Sequence, residues 1–194
     1  MILLENVAFS YGNKRIFTDF SLELADSARL ALMGPSGCGK STLLRLISGL
    51  LTPQSGRIAG LPQDGVAYVF QESRLLPQLT ARENVELVLK NVENRQKLAE
   101  EILTELGLGD ELDTLPSELS GGMARRVAMA RALAFPSPLL VLDEAFTGLD
   151  ERTRGIVADC VLRRLGGRTL VMSTHSELEA ELLGCEILRL APPK

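Results

Sequence analysis

An α/β fold with a mostly parallel core sheet is predicted by three features of this 194-residue chain. Short, largely apolar runs at Leu30–Met33, Leu139–Leu142 and Thr169–Met172 read as strands covered on both faces. Helical spacing of apolar residues follows the first two: Leu43, Leu44, Leu46 and Ile47, then Ile156, Val157, Cys160 and Val161. The third feature is the glycine-rich stretch Gly34-Pro35-Ser36-Gly37-Cys38-Gly39-Lys40-Ser41-Thr42, set between the first run and its helix.

Taken in order, Ile2 to Phe9 reads as a strand, and Phe17 to Leu24 alternates as a second one. The polar turn Tyr11 to Arg15 joins them, so an antiparallel ribbon is expected beside the parallel core. Thr52 to Gly56 marks a turn, and Gly65 to Phe70 a strand ending at Gln71. Val85, Val88, Leu89 and Val92 recur at helical spacing, as do Leu98, Ile102 and Leu106 until Gly107 and Gly109 break the pattern. Ser73 to Pro116 therefore reads as a helical insertion, with Glu100, Glu101, Asp110, Glu111 and Asp113 on a solvated face. Arg125 to Ala134 is helical, Ser176 to Leu183 is helical, and Ile187 to Leu190 is an edge strand.

Gly34 to Thr42 fits Gly-x-x-x-x-Gly-Lys-Ser/Thr, the Walker A phosphate loop. A strand–loop–helix unit aims backbone N–H groups and the positive helix end at an anion. Lys40 then reaches the β- and γ-phosphates, and the Ser41 hydroxyl is a Mg²⁺ ligand. Asp143-Glu144 directly follows an apolar strand, at the strand end where ligands bind in open α/β sheets. Asp143 suits Mg²⁺, and Glu144 suits the general base that deprotonates an attacking water. Ser120-Gly121-Gly122 precedes a helix and makes a second anion-accepting terminus. Alone, Ser-Gly-Gly is a common loop sequence.

Composition bounds the rest. Apolar residues are 45% and charged residues 24%, ordinary for a globular chain that buries a real core. A net charge of −4 argues against a chain-wide polyanion binder. No apolar stretch approaches the ~18 residues of a membrane span, and the N-terminus lacks signal-peptide character. Cys38, Cys160 and Cys185 form no pairing pattern, which suits a reducing cytosol.

The motifs together resemble the ATPase subunit of ATP-binding-cassette (ABC) transporters, over essentially the whole chain. Tyr11 matches the aromatic that stacks on adenine, Gly34 to Thr42 the Walker A loop, and Gln71 the Q-loop glutamine. Ser120, Gly121 and Gly122 match the signature, and Asp143-Glu144 the Walker B pair with its catalytic glutamate. Gly148-Leu149-Asp150 matches the D-loop, and His175, the sole histidine, the switch histidine. The stretch Gln71 to Pro77, then Thr80 to Val85, resembles importers of the nitrate, sulfonate and taurine type.

The resemblance implies one P-loop ABC ATPase domain over 1–194, with an antiparallel β subdomain and a helical subdomain at about 73–134. It implies a homodimer sandwiching two ATPs, each held by Lys40 and Ser41 of one chain and Ser120 to Gly122 of the other. Lys40, Gln71, Glu144 and His175 are the catalytic set, and Ser41, Gln71 and Asp143 serve Mg²⁺. Tyr11, the Walker A residues, Ser120 to Gly122 and Asp150 bind the nucleotide. Implied partners are integral membrane permease subunits and an extracytoplasmic substrate-binding protein, with no nucleic acid. The implied location is the cytoplasmic face of the membrane, with importer favoured over exporter.

Rival readings are an exporter ATPase and a soluble ABC ATPase acting on DNA or ribosomes, which usually carries a coiled-coil insertion or a second cassette. A P-loop GTPase or kinase would leave Ser120 to Gly122 unexplained. The sequence departs from the family pattern at Met123, Ala145 and Ser176, where Gln, Pro and an acidic residue are usual. None of these removes a phosphate-contacting or catalytic group. No C-terminal regulatory domain of the kind some importer ATPases carry is expected after the last predicted strand.

Overall fold

A computed structural model describes residues 1–90 and 92–192. In chain order the elements are β1 (Ile2–Tyr11), β2 (Lys14–Leu24), β3 (Arg29–Met33), α1 (Lys40–Ile47), β4 (Ser55–Ala59), β5 (Ala67–Val69), α2 (Ala81–Glu86), α3 (Arg95–Glu105), α4 (Gly121–Ala134), β6 (Leu139–Asp143), α5 (Glu151–Leu165), β7 (Thr169–Ser173), α6 (Glu177–Leu182) and β8 (Glu186–Arg189). They fall into two compact units. The first holds Met1–Val66, Ser137–Asp143 and Gly167–Lys194; the second holds Ala67–Pro136 and Glu144–Gly166. The expected helical subdomain lies inside the second.

In the first unit, β6, β7, β3 and β8 lie side by side and parallel. Every residue of β6 and β7 is buried, which is why both read as unbroken apolar runs. The register pairs Leu139 with Thr169 and ends on Asp143 beside Ser173, while Leu32 of β3 also faces Ser173. The carboxyl ends of three strands thus converge, and β3 runs straight into the phosphate loop. Helix α1 packs on β6 and β7 through buried Leu43, Leu44, Leu46 and Ile47. The order β2-β1-β4 makes the expected antiparallel ribbon a three-stranded sheet. Its third strand corrects the expectation of a plain turn at Thr52 to Gly56, because β4 begins at Ser55. Four of its five residues are exposed, so it lacks a buried alternating face to betray it. Strand β8 sits at a sheet edge, as expected.

In the second unit, α4 is the central element and packs on α2, α3, α5 and β5. Val127, Ala128, Met129, Ala130, Ala132 and Leu133 are buried, nearly all round the helix. It starts at Gly121 and not at Arg125, because Ser120 caps it: the Ser120 Oγ accepts from the Met123 N–H at 3.2 Å. Helix α2 opens with a Thr80/Glu83 capping box. It is shorter than the Val85-to-Val92 periodicity suggests. Val88 and Leu89 donate to residues three back, tightening the chain out of α-geometry, and Val92 is exposed. Asn91, inside that pattern, lies outside the described residues. The strand expected at Gly65 to Phe70 is trimmed to β5, and Ile156, expected on the apolar side of α5, is exposed.

The acidic face expected to be solvated is partly paired. Arg82 Nη1 donates to Glu100 at 3.0 Å and its Nη2 to Asp113 at 2.7 Å, so these two carboxylates bracket an arginine that ties α2 to α3. Elsewhere in the unit, Arg164 of α5 grips Glu105 of α3 with Nε at 2.9 Å and Nη2 at 2.5 Å. These bonds hold the Glu105 carboxyl below the usual carboxylate range. Burial, aided by Glu105, pushes the neighbouring Cys160 thiol up to about 11, so it stays protonated and inert. Among the described residues, no helix is long and apolar enough to cross a membrane.

Candidate nucleotide site

The first unit holds the phosphate loop. Gly39 caps α1 in the left-handed region, with φ of 104°. A Cβ there would come within 2.7 Å of Ile16 and 2.9 Å of Phe17 on β2, so only glycine lets the loop close against the ribbon. The loop crest, Pro35 to Gly37, is exposed, whereas Cys38, Lys40 and Thr42 are buried. Lys40 is only 6% exposed, and its Nζ donates to the carbonyls of Gly34 at 2.9 Å and Pro35 at 3.4 Å. An ammonium has three donors, so this arrangement leaves capacity for a phosphate oxygen at the loop mouth.

Asp143 is 3% exposed and ends β6. Its Oδ1 accepts from the Ser41 hydroxyl at 3.0 Å and from the Ser173 hydroxyl at 2.7 Å. A hydroxyl and a buried carboxylate side by side are the hard oxygen donors that Mg²⁺ takes, one or two at a time, with phosphate oxygens and waters completing the shell. Ser173 is absent from the expected set. Its only sequence signal is its place at the end of a buried strand, next to Thr174-His175. His175 is exposed. The loop around it is tied down by Thr174, whose hydroxyl bonds Glu179 and accepts from the Ser176 N–H at 3.0 Å. Tyr11 ends β1, 45% exposed, with Phe9 set edge-on to it at 5.0 Å and 80°. That support fixes a ring with a free face suited to stacking on a base.

The second unit carries the other motif residues. Gln71 is exposed, and its Nε2 donates to the Glu144 Oε2 at 3.3 Å. Glu144 occupies the left-handed region with φ of 49°, an uncommon conformation for a residue with a side chain. Arg125, another residue missing from the expected set, donates to the backbone carbonyls of both Gln71 and Glu144. Asp150 caps α5: its oxygens accept from the Thr153 N–H at 2.9 Å and the Thr153 hydroxyl at 2.7 Å. Those bonds, the backbone one first, hold its carboxyl below the ordinary range. At the start of α4, a Cβ on Gly121 would meet no described heavy atom within 4 Å, and one on Gly122 only ordinary contacts. Packing within the described chain therefore does not require either glycine, although each costs helix stability.

The sequence profile of the ABC transporter family matches residues 17–147. The chain belongs to that family. Among its relatives, the thiamine import ATP-binding protein ThiQ of Vibrio cholerae is 38% identical, over 100% of this chain and 87% of ThiQ. The aliphatic sulfonates import ATP-binding protein SsuB 2 of Burkholderia cenocepacia is 40% identical, over 94% of this chain and 70% of its own length. Among solved structures, the dimeric ATP-binding cassette MJ0796 in a post-hydrolysis state bound to ADP and Pi superposes with a TM-score of 0.86 at 32% identity. That match covers 98% of this ABC cassette and 94% of MJ0796.

Proposed function

We propose that this ABC cassette binds ATP and hydrolyses it to energise an importer, working as one domain in a homodimer that sandwiches two ATPs. The observation that carries this reading is the Ser41–Asp143 pair, 3.0 Å apart at the foot of the phosphate loop. Tyr11 stacks on adenine, and the Gly34-to-Thr42 loop wraps the phosphates with Lys40 on the β- and γ-oxygens. Ser41 and Asp143, with Gln71, would hold Mg²⁺, which would supply neutralisation of the phosphate charge. Glu144 takes a proton from water as its oxygen bonds to the γ-phosphorus and the bond to the ADP oxygen breaks. His175 orients the γ-phosphate, and Asp150 belongs to the loop that borders the nucleotide.

Ser120, Gly121 and Gly122 act on the ATP of the second chain. The open space at Gly121 supports that assignment: helix-weakening glycines that no described residue demands are accounted for by an approaching phosphate. Import is favoured because ThiQ and SsuB 2 are named as import proteins. Permease subunits, an extracytoplasmic binding protein and the cytoplasmic membrane face complete the proposed setting. Leu75 is half-buried and Leu76 exposed beside Arg74, which suits a socket for a short permease helix better than a core role. Affinity purification of the tagged chain from detergent-solubilised native membranes tests this. A co-purifying multi-span protein, lost on Leu75→Glu while ATP binding persists, is the predicted result. Retention on ribosomes or DNA instead would transfer the chain to the soluble class.

A further inference from the structure

One guanidinium in the second unit joins the two segments that the proposed reaction must coordinate. Arg125 is half-buried on α4, five positions after Ser120. Its Nη2 donates to the Gln71 carbonyl at 2.7 Å, and its Nη1 to the Glu144 carbonyl at 2.8 Å. Those carbonyls lie 54 and 19 positions away in sequence. The Gln71 side chain closes a ring by donating to the Glu144 carboxylate at 3.3 Å. Two neighbours on the same helix serve other segments: Arg126 binds the carbonyls of Leu106 and Gly107, and Arg131 those of Ser73 and Arg74.

The bonds from Arg125 are charge-assisted, and a planar fork fixes two acceptors at once where an ammonium acts as a point charge. They fall on a backbone that needs fixing. Glu144 sits at a φ of 49°, and such conformations persist only where the surroundings impose them.

We propose that Arg125 is a positioning residue for hydrolysis: its guanidinium holds the Gln71 and Glu144 backbones together and so aims the Glu144 carboxylate. Its place on α4 also ties the helix that begins with the signature to the base of the reaction. The inference rests on the reading of Glu144 as that base.

Arg125→Met keeps the aliphatic stem and removes the donors; Arg125→Lys returns the charge without the fork. The readouts are kcat, KM, the Kd for ATP and the melting temperature, each also taken in a Glu144→Gln background. Arg125→Met should lower kcat roughly 10- to 100-fold, the scale of an ångström-sized misplacement of a reacting group. KM and Kd should stay within about two-fold, and Arg125→Lys should recover part of the rate. In Glu144→Gln, where no base remains to aim, Arg125→Met should leave the residual rate unchanged. An unchanged kcat, or the same fold-loss in both backgrounds, overturns the proposal. Should Arg125→Met unfold, Arg125→Lys decides: a folded protein with the full wild-type rate also overturns it. Wild-type turnover in Glu144→Gln alone marks the different failure, that of Glu144 as the base.

Discussion

The two units treat their functional groups in opposite ways. In the first, Lys40 and Asp143 are buried and bonded to their own surroundings: Lys40 to loop carbonyls, Asp143 to the hydroxyls of Ser41 and Ser173. In the second, Gln71, Ser120, Gly121 and Asp150 are exposed, at loops and helix starts, and two of them are spent as helix caps. A buried cation held by fixed partners is pre-organised for an anion, and a buried carboxylate beside a hydroxyl for a cation, with little reorganisation on binding. An exposed helix start with unneeded glycines offers backbone donors outward. The contrast suits the proposed site shared between two chains, in which one chain would contribute the cradle and the other a lid.

The largest effect should come from the cradle. Lys40→Ala removes the buried ammonium at the loop, and turnover should fall by more than about 10²-fold, the loss typical of one transition-state donor. A coupled ATPase assay measures it; near-normal turnover would place the phosphates elsewhere. The lid comes next. Ser120→Arg fills the open space at the start of α4 and should abolish hydrolysis while leaving monomeric ATP binding within a few-fold, a split that equilibrium nucleotide titration reads directly. Loss of ATP binding in the isolated chain would mean that the start of α4 and the phosphate loop hold the same nucleotide. Met123→Gln should shift the rate only modestly, since Met123 contributes its backbone N–H to the cap.

Tyr11→Ala should weaken ATP binding by roughly 1–3 kcal/mol, the range for base–aromatic stacking, or about five-fold or more in Kd. Tyr11→Phe should be nearly silent, because Phe9 supports the ring and not the hydroxyl. Equal losses would assign the effect to the hydroxyl or to folding.

The smallest effect concerns the scaffold of the second unit. Arg164 lowers the Glu105 carboxyl, so this pair stabilises the fold above the ordinary carboxylate pKa of about 4.3 and ceases to do so as pH falls through the lowered value. Glu105→Gln should cost about 1 kcal/mol at neutral pH, discounted for the pair's partial exposure, and progressively less as pH falls through the lowered value. Thermal melts over a descending pH series check the convergence; a constant gap would mean packing and not charge.

Much of this was legible in the sequence because the parallel strands are buried on both faces. β6 and β7 announce themselves as apolar runs, and the loop between β3 and α1 has a spacing imposed by phosphate geometry. What escaped reading lacks such periodicity. β4 is five mostly exposed residues stabilised by pairing with β1. α2 stops early because the turns after Glu86 tighten, although the apolar spacing continues. Ser173 and Arg125 escaped because their roles exist only after folding, when register brings Ser173 beside Asp143 and α4 carries Arg125 to two distant carbonyls.

In the proposed mechanism each half-site is completed by a second copy of the chain. Size-exclusion chromatography with light scattering on Glu144→Gln, with and without ATP and Mg²⁺, tests it most directly. On the proposed mechanism this variant keeps the shape of the site and loses the base, so bound ATP should persist. A species of twice the 21.1 kDa chain mass should form only with ATP, and should be lost when Ser120→Arg is added. A Glu144→Gln protein that binds ATP yet stays monomeric, or a dimer indifferent to Ser120→Arg, would contradict it.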